Sequence, residues 1–98
     1  LYKMSVWTEF EGSISFHDSE HISVKKVFDE CFNGREVLGD VEMKKGGNFL
    51  YFEIWCNIEE SLEDALILFN KFTEALEQKC TYPKLLKFDI SVKGRMLK

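Results

Sequence analysis

Residues 37–58 have the sequence VLGDVEMKKGGNFLYFEIWCNI, and the rest of the fold can be worked out from them. Residues 37–43 and 49–58 each alternate apolar and polar side chains, which is typical of strands with one buried face. Between them, residues 44–48 (KKGGN) supply two glycines and an asparagine, which tolerate the positive φ values of tight turns. The stretch therefore predicts an antiparallel hairpin. Gly39 is expected to mark a bulge in its first strand.

The segment before the hairpin predicts a strand followed by a helix. Residues 5–16 (SVWTEFEGSISF) alternate in the same way as the hairpin strands. Over residues 24–32 the apolar side chains recur at helical spacing, and Ser23 is the expected N-terminal cap of this helix. Asn33-Gly34 supply a residue that ends a helix in the left-handed conformation.

The segment after the hairpin predicts a helix followed by a strand. Ser61 is expected to cap a helix that ends near Lys79, and acidic residues suit its N-terminal end. Tyr82-Pro83 interrupts the chain, and residues 86–92 alternate again as a final strand. The apolar stripe expected on the second helix consists of Leu62, Ala65, Leu66, Phe69, Phe72 and Leu76.

The element order βαββαβ predicts an α+β fold, the ferredoxin-like sandwich. In that fold a four-stranded antiparallel sheet carries two helices on one face, and the first and third strands are central. We expect a single domain over residues 5–93, with residues 94–98 as a C-terminal tail. Since Met4 is the ordinary type of first residue, residues 1–3 are expected to precede the natural start.

The sheet face without helices is predicted to be both acidic and aromatic. Large exposed aromatic patches on small proteins tend to mark interaction sites, and tryptophan and tyrosine often dominate interface energies. Many carboxylates on the same face should attract a basic partner. The expected members of this face are Trp7, Glu9, Glu11, Leu38, Asp40, Glu42, Phe49, Tyr51, Glu53, Trp55, Lys87 and Asp89.

We interpret this face as the docking surface of a non-enzymatic binding protein. The proposed partner-binding residues are Trp7, Tyr51 and Trp55 as anchors, with Glu9, Glu11, Asp40, Glu42 and Glu53 for electrostatic steering. In one alternative the aromatic side chains only cover one another as cross-strand pairs. In another the face forms a homodimer, as a structural or regulatory module, with Lys44, Lys45, Lys87 or Lys93 placed opposite the carboxylates.

The charge balance bears on the class of partner. Seventeen acidic and 13 basic residues give a net charge of −4, which argues against general binding to nucleic acid or anionic membranes. Residues 45–52 (KGGNFLYF) loosely resemble an RNA-recognition signature, but Gly47 stands where an aromatic residue belongs. Glu9, Glu11 and Glu53 would also repel the phosphates, so RNA binding is the weaker alternative. We expect a basic protein surface as the partner.

No catalytic, cofactor or metal motif is present in the sequence. His17 and His21 are four residues apart, a spacing that suits a metal site on a helix. The segment from Phe16 to His21 leaves a strand and enters a helix, however, so we expect Asp18, Ser19 and their polar neighbours to serve as turn and capping residues. Cys31, Cys56 and Cys80 fall at apolar positions and are expected to be buried, reduced thiols. We therefore predict a protein without enzymatic activity, cofactor or metal. An enzyme that uses His17 or His21 is the remaining alternative.

The length and hydropathy of the chain bear on its compartment. No run of about 18 apolar residues is present, and the N-terminal residues lack the basic stretch, apolar segment and small-residue cleavage site that are typical of a signal peptide. We therefore expect a cytoplasmic protein that does not associate with membranes.

One sequence resemblance suggests a biological setting. Residues 4–14 (MSVWTEFEGSI), followed by residues 21–26 (HISVKK), resemble the start of short, uncharacterised bacteriophage-encoded proteins. This resemblance implies a bacterial host cytoplasm and a small inhibitor of a host defence or nucleic-acid-handling protein, of the anti-CRISPR or anti-restriction type. Toxin immunity proteins are similar in size and acidity and stay an alternative.

Overall fold

Strands and helices alternate along the chain in the computed structural model, which describes residues 5–35 and 37–97. The predicted order of the main elements is confirmed, and two short 3-10 turns are added to it. The elements are β1 (Ser5–His17), a 3-10 turn (Asp18–Glu20), α1 (His21–Phe32), β2 (Val37–Gly46), β3 (Phe49–Ile58), α2 (Leu62–Lys79), a second 3-10 turn (Pro83–Leu85) and β4 (Lys87–Leu97).

The four strands form one open antiparallel sheet in the order β2-β3-β1-β4. β1 pairs with both β3 and β4, and β2 pairs with β3 through the predicted hairpin. The first and third strands are therefore the central ones, as predicted. The chain has an α+β fold in which two helices accompany a four-stranded sheet.

Two strands are longer than the sequence pattern indicated. β4 continues to Leu97, so the prediction of a tail over residues 94–98 is wrong for all but the last residue, which lies outside the described residues. The extension exists because the start of β1 offers a partner, with Thr8 opposite Gly94 and Trp7 opposite Arg95. β2 continues to Gly46, which leaves Gly47 at φ +65° as the left-handed residue of a shorter turn.

The helix starts differ in how well they were predicted. α1 begins at His21 after the 3-10 turn, so Ser23 lies inside the first turn and the prediction that it caps the helix is wrong. The sequence signal was obscured because Asp18 and Ser19 already turn the chain by a 3-10 step. Ser61 does cap α2, since its Oγ accepts a hydrogen bond from the Asp64 N–H at 3.2 Å.

The core lies between one face of the sheet and the two helices. Alternate residues of β3 from Leu50 to Ile58 contribute to it, together with Phe10, Ile14 and Phe16 of β1, whereas Val6 at the start of β1 is exposed. Phe28 and Phe32 of α1 stack at 4.4 Å between ring centroids, and Phe72 of α2 meets both rings edge-on at 5.8 Å. This aromatic cluster joins the two helices above the sheet.

The buried stripe of α2 is rotated from the predicted one. Ala65, Leu68, Phe72 and Leu76 are buried, whereas Leu62 and Leu66 are 41% and 43% exposed. The predicted stripe thus omitted one core leucine and included two that lie on the flank of the helix.

Gly39 does not mark a bulge, because the β2–β3 register runs through it without interruption, with Gly39 opposite Cys56. Its backbone has φ +133°, and a Cβ atom there would lie 2.1 Å from the Trp55 carbonyl oxygen. The glycine is therefore needed for the close approach of β2 to β3.

A buried carboxylate ties the start of α1 to the loop after α2. Glu20 is only 4% exposed, and its Oε1 and Oε2 accept hydrogen bonds from the N–H groups of Thr81 at 2.9 Å and Tyr82 at 3.2 Å. Burial by itself raises the pKa of this carboxyl group, but these hydrogen bonds favour its ionised form. Together they leave its pKa below the ordinary 4.5.

Replacing this carboxylate should make the stability of the protein less sensitive to acid. At neutral pH we expect Glu20→Gln to lower the free energy of unfolding by about 1–3 kcal/mol, because an amide cannot accept both N–H groups as a charged acceptor. Since the folded-state pKa is lowered, the wild-type advantage is present above 4.5 and is lost as the pH falls through the folded-state value.

Urea unfolding in neutral and acidic buffers measures this difference. Glu74→Gln, on the exposed side of α2, is the matched control and should leave the stability nearly unchanged at either pH. A Glu20→Gln deficit of equal size in both buffers would contradict the assigned role of the charge.

Candidate functional site

The sheet face opposite the helices is assembled from the residues that the alternation assigned to it. The registers place Asp40 of β2, Trp55 of β3 and Glu11 of β1 side by side in one row across the strands. The next row contains Glu42, Glu53 and Ser13. Glu11, Asp40, Glu42, Glu53 and Trp55 are therefore neighbours. Leu38, also predicted there, has its side chain outside the described residues.

Trp55 is the most prominent aromatic side chain of this face. Its side chain is 50% exposed, and a carboxylate lies directly across the ladder on each side of it, Asp40 on β2 and Glu11 on β1. Directly opposite residues of an antiparallel pair have Cβ atoms about 4.5–5.5 Å apart. Trp55 thus lies between two acidic residues on the neighbouring strands.

The neighbouring row already holds a cation of the chain itself. Lys44 Nζ lies 2.7 Å from Glu53 Oε2 and 4.0 Å from Glu42 Oε2. The hydrogen bond to Glu53, helped by the charges of both glutamates, raises the pKa of the Lys44 ammonium group above its ordinary value. Carboxylates of this face therefore bind a side-chain ammonium group within the chain itself.

A shallow groove of about 490 Å³ runs over these rows. On β1 it is lined by the small residues Gly12 and Ser13, and the longer side chains of β2 and β3 lie beside them. Its lining residues are Glu11, Gly12, Ser13, Asp40, Glu42, Lys44, Glu53, Ile54 and Trp55. Five of the eight predicted partner-binding residues, namely Glu11, Asp40, Glu42, Glu53 and Trp55, line this single groove.

Trp7 is not the exposed anchor that the sequence predicted. Its side chain is only 8% exposed, although Trp7 lies outside the core cluster between the sheet and the helices. It stands opposite Arg95 on β4, four positions along β1 from the residue that faces Trp55. At about 3.3 Å per residue the two indoles are roughly 13 Å apart along the strand, so they do not form one patch.

Glu9 is also less available than predicted. Its side chain is 15% exposed, Arg95 Nη1 lies 3.9 Å from Glu9 Oε2, and Lys93 is its direct partner across the β1–β4 ladder. Two cations of β4 thus screen this carboxylate. The steering role predicted for the acidic residues therefore rests mainly on Glu11 and Asp40.

The face carries more positively charged residues than the sequence predicted. The cations that it missed are Lys44, Lys93 and Arg95, which join Lys87 on this face. The signal for them was present, because the alternation of β2 and β4 continues through these positions. Lys44 was left out because residues 44–48 were assigned to the turn, and Arg95 because residues 94–98 were assigned to a tail. Lys93, at the end of the predicted strand, was considered only as a cation opposite the carboxylates in a homodimer.

Tyr51 extends the aromatic surface along β3. Phe49 and Tyr51 are both exposed, and Tyr51 lies opposite Lys44 on β2 and Ser15 on β1. At the same end of the sheet the His17 ring meets Phe49 edge-on at 6.4 Å and Tyr82 at 5.8 Å. The aromatic residues of β3 therefore form a line that starts at Trp55 and ends near the first turn.

The histidines contact their own turn. His17 Nδ1 accepts a hydrogen bond from the Ser19 N–H at 3.2 Å and lies 2.8 Å from Ser19 Oγ, while His21 Nδ1 lies 3.3 Å from the Asp18 carbonyl oxygen. These contacts agree with the predicted turn and capping role. Within residues 5–35 and 37–97, no group of three or more histidine, cysteine or acidic side chains is arranged to hold a metal ion.

The cysteines lie where the periodicity placed them. Cys56 and Cys80 are buried and Cys31 is half-buried, and all three are free thiols. Burial raises the pKa of Cys56 to about 11 and that of Cys80 to about 12. Since the thiolate is the nucleophilic form, neither buried cysteine suits thiol chemistry at neutral pH.

Neither helix in the described part of the chain has the length and apolar character needed to span a bilayer. Comparison of the chain with family models, with curated proteins and with solved structures found no match.

Proposed function

We propose that the chain is a small, non-enzymatic binding protein that docks a basic protein surface through the groove on its open sheet face. The observation that carries this proposal is the half-exposed Trp55 between the carboxylates of Glu11 and Asp40. A cation held above this indole would contact the ring face and a carboxylate on either side of it.

An arginine side chain of the partner fits this arrangement best. Its planar guanidinium group stacks on aromatic rings and donates several hydrogen bonds in fixed directions, whereas a lysine ammonium group is a compact point charge. Asp40 and Glu11 would accept these hydrogen bonds from the two sides of Trp55. Tyr51 would extend the contact along β3 toward the end of the groove.

The charge of the face supports steering as well as binding. Carboxylates dominate the rows of Trp55 and Glu53, while the cations that this face carries lie at β4 and at the end of β2. A basic surface would therefore be drawn to the middle of the sheet and turned away from its β4 side. Charge of this kind mainly speeds encounter and fixes orientation, and burial of the indole slows release.

For the partner we propose a protein that handles nucleic acid, because such proteins expose arginine-rich surfaces to bind phosphates. A binding protein that covers such a surface would act as an inhibitor. The resemblance of residues 4–14 to bacteriophage-encoded proteins supports a host defence enzyme as the target, in the cytoplasm of a bacterial host. An immunity protein that neutralises a toxin would use the same acidic groove.

We further propose that the architecture is the ferredoxin-like sandwich. The strand order β2-β3-β1-β4 with antiparallel neighbours supports it, because β1 and β3 are central and each helix connects two strands that are not adjacent. A core shared by α1, α2 and one sheet face supports the placement of both helices on that face. The other face is then left open for a partner.

The direct test uses a fluorescently labelled nona-arginine peptide as the probe. We expect the unsubstituted chain to bind it and Trp55→Ala to bind it about 10–100 times more weakly, because truncation removes the ring on which the guanidinium group stacks. Fluorescence anisotropy measures both dissociation constants. Ile67→Ala, on the solvent-facing side of α2, is the control and should bind normally.

A second variant separates steering from stacking. Glu11→Lys should slow association with the same peptide at low salt, and the deficit should shrink at high salt because exposed charges are screened. Glu74→Lys makes the same change of charge on α2 and should alter association much less. Stopped-flow measurements would contradict the proposal if both lysine variants slowed association equally, or if Trp55→Ala bound the peptide as tightly as the unsubstituted chain.

A further inference from the structure

The outer edge of β4 is a long strand edge without a partner in the described part of the chain. β4 has 11 residues and pairs only with β1, so one side of its backbone remains unpaired over the length of the strand. An exposed row of N–H and C=O groups is a template for another strand. The side chains along this edge determine which strand can pair with it.

The apolar layer next to this edge is only partly covered. Phe88, Ile90 and Val92 point toward the helix side and are half-buried. Leu62 of α2 packs next to Gly94, where an added Cβ atom would lie 3.1 Å from the Leu62 Cβ, yet Leu62 is itself an exposed side chain. An apolar strip therefore runs from α2 to the edge of β4 and ends in solvent.

We infer that a second copy of this chain occupies the edge, with β4 pairing antiparallel to β4 of the partner about a two-fold axis at Val92. The register follows from charge complementarity on the open face. With Val92 opposite its own copy, Asp89 lies opposite Arg95 of the second chain, twice by symmetry, and Ser91 lies opposite Lys93. The whole of Lys87–Leu97 takes part, and no like charges face each other.

The neighbouring registers are less favourable. An axis at Ser91 pairs Asp89 with Lys93 but also places Lys87 opposite Arg95 of the second copy, so attraction and repulsion offset each other. An axis at Lys93 places that lysine opposite itself. Like charges directly opposite each other in a ladder are destabilising. The register with complete overlap is therefore also the one with the best charge pairing.

The other sheet edge, at β2, does not offer an equivalent contact. Two registers give equal overlap, and with the axis at Val41, Asp40 would lie opposite Glu42 of the second copy, twice by symmetry. With the axis at Glu42, Asp40 would lie opposite Lys44, but Glu42 would face itself at the centre of the ladder. Repulsion between carboxylates at the centre of the ladder opposes pairing at this edge.

Pairing at β4 produces an eight-stranded sheet with a defined geometry. A two-fold axis between antiparallel strands of one sheet is perpendicular to the sheet, so both open faces lie on the same side. Ile90 of one copy would lie opposite Gly94 of the other, next to Leu62, and would cover the apolar strip. This inference is independent of the proposed function, because the dimer forms whether or not the grooves bind a cation.

Engineered disulfides test the register on the full chain. Directly opposite Cα atoms in an antiparallel pair are about 4.5–5.5 Å apart, which matches disulfide geometry. With oxidised glutathione as the acceptor of two electrons, we expect two Val92→Cys thiols to form one intermolecular disulfide. Ser91→Cys should not form one, because position 91 faces position 93 of the second copy. The unsubstituted chain, with its three cysteines, gives the background.

A charge variant tests the edge by a different readout. Asp89 is exposed and lies opposite Ser13 within its own chain, so Asp89→Lys should fold normally by circular dichroism. In the dimer it would place a lysine against Arg95, and we expect the dimer dissociation constant from sedimentation to rise at least about tenfold. Glu42→Lys makes the same change of charge on the open face at the other edge and should not weaken the dimer.

Three results would overturn the inference. The first is a monomer over the whole micromolar range for the unsubstituted chain. The second is cross-linking of Ser91→Cys in preference to Val92→Cys. The third is equal weakening of the dimer by Glu42→Lys and Asp89→Lys, which would place the contact on the open face instead of the edge.

Discussion

Gly12→Ala is expected to destabilise the protein by about 3 kcal/mol or more, a large part of the 5–15 kcal/mol that holds a domain of this size folded. Gly12 has φ +144°, a backbone conformation that side chains rarely adopt. An added Cβ atom would lie 1.9 Å from the Asp89 carbonyl oxygen and 2.8 Å from the Ile90 Cα. Both atoms belong to the backbone of β4, so the clash cannot be relieved by rotating a side chain.

Gly47→Ala is the matched control for this prediction. Gly47 also has a positive φ, +65°, but a Cβ atom there would meet no heavy atom within 4 Å. Only the strain of the left-handed conformation remains, which costs about 1–2 kcal/mol. Urea unfolding of both variants compares the two effects. If Gly12→Ala were no less stable than Gly47→Ala, the close approach of β1 to β4 at Gly12 would be contradicted.

The same glycine links stability to the groove. Gly12 and Ser13 line the groove, and Gly12 is next to Glu11, which lies opposite Trp55 in the β1–β3 ladder. A substitution at Gly12 that the fold survived would therefore also disturb peptide binding, whereas one at Gly47 would leave binding intact.

The alternation of the strands predicted which side of the sheet each residue faces, and it did so well. The side-chain period of a strand is two, so a correct register places a whole set of residues on one face. Glu11, Asp40, Glu53 and Trp55 were found together for this reason. The strand assignments and the hairpin were sufficient to predict that these four residues share one face.

Periodicity could not predict how deeply a residue on the open face is covered. Trp7 and Trp55 have equivalent positions in the pattern, yet Trp7 is buried and Trp55 is half exposed. Lateral packing along a face depends on the length of the neighbouring strands, and β4 was expected to end before the residues opposite Trp7. The screening of Glu9 by Arg95 was missed for the same reason.

Helix periodicity failed at one place for a different reason. Residues 65–69 (ALILF) are all apolar, so a stripe drawn through them does not select a single face of α2. Contacts with α1 and the sheet settle the rotation. They bury Leu68 and leave Leu62 and Leu66 exposed, with Leu62 next to Gly94 of β4.

A pair of identical substitutions tests this rotation directly. Leu68→Ala is expected to lower the free energy of unfolding by about 2–5 kcal/mol, because it removes buried methyl groups and leaves a cavity in the core. Leu66→Ala removes the same atoms from a side chain that is 43% exposed, and we expect a loss below about 1 kcal/mol.

Chemical unfolding at low protein concentration measures both losses on monomers, which keeps dimer formation at the β4 edge from stabilising either variant. Leu68 is 5% exposed and belongs to the core cluster with Phe72 and Leu76. The cavity left by its truncation would therefore lie in the apolar core, away from solvent. If Leu66→Ala proved the more damaging change, α2 would carry the stripe that the sequence pattern first indicated. The apolar strip beside β4 would then be buried against the sheet. A second chain that paired with β4 would have less apolar surface to cover at that edge.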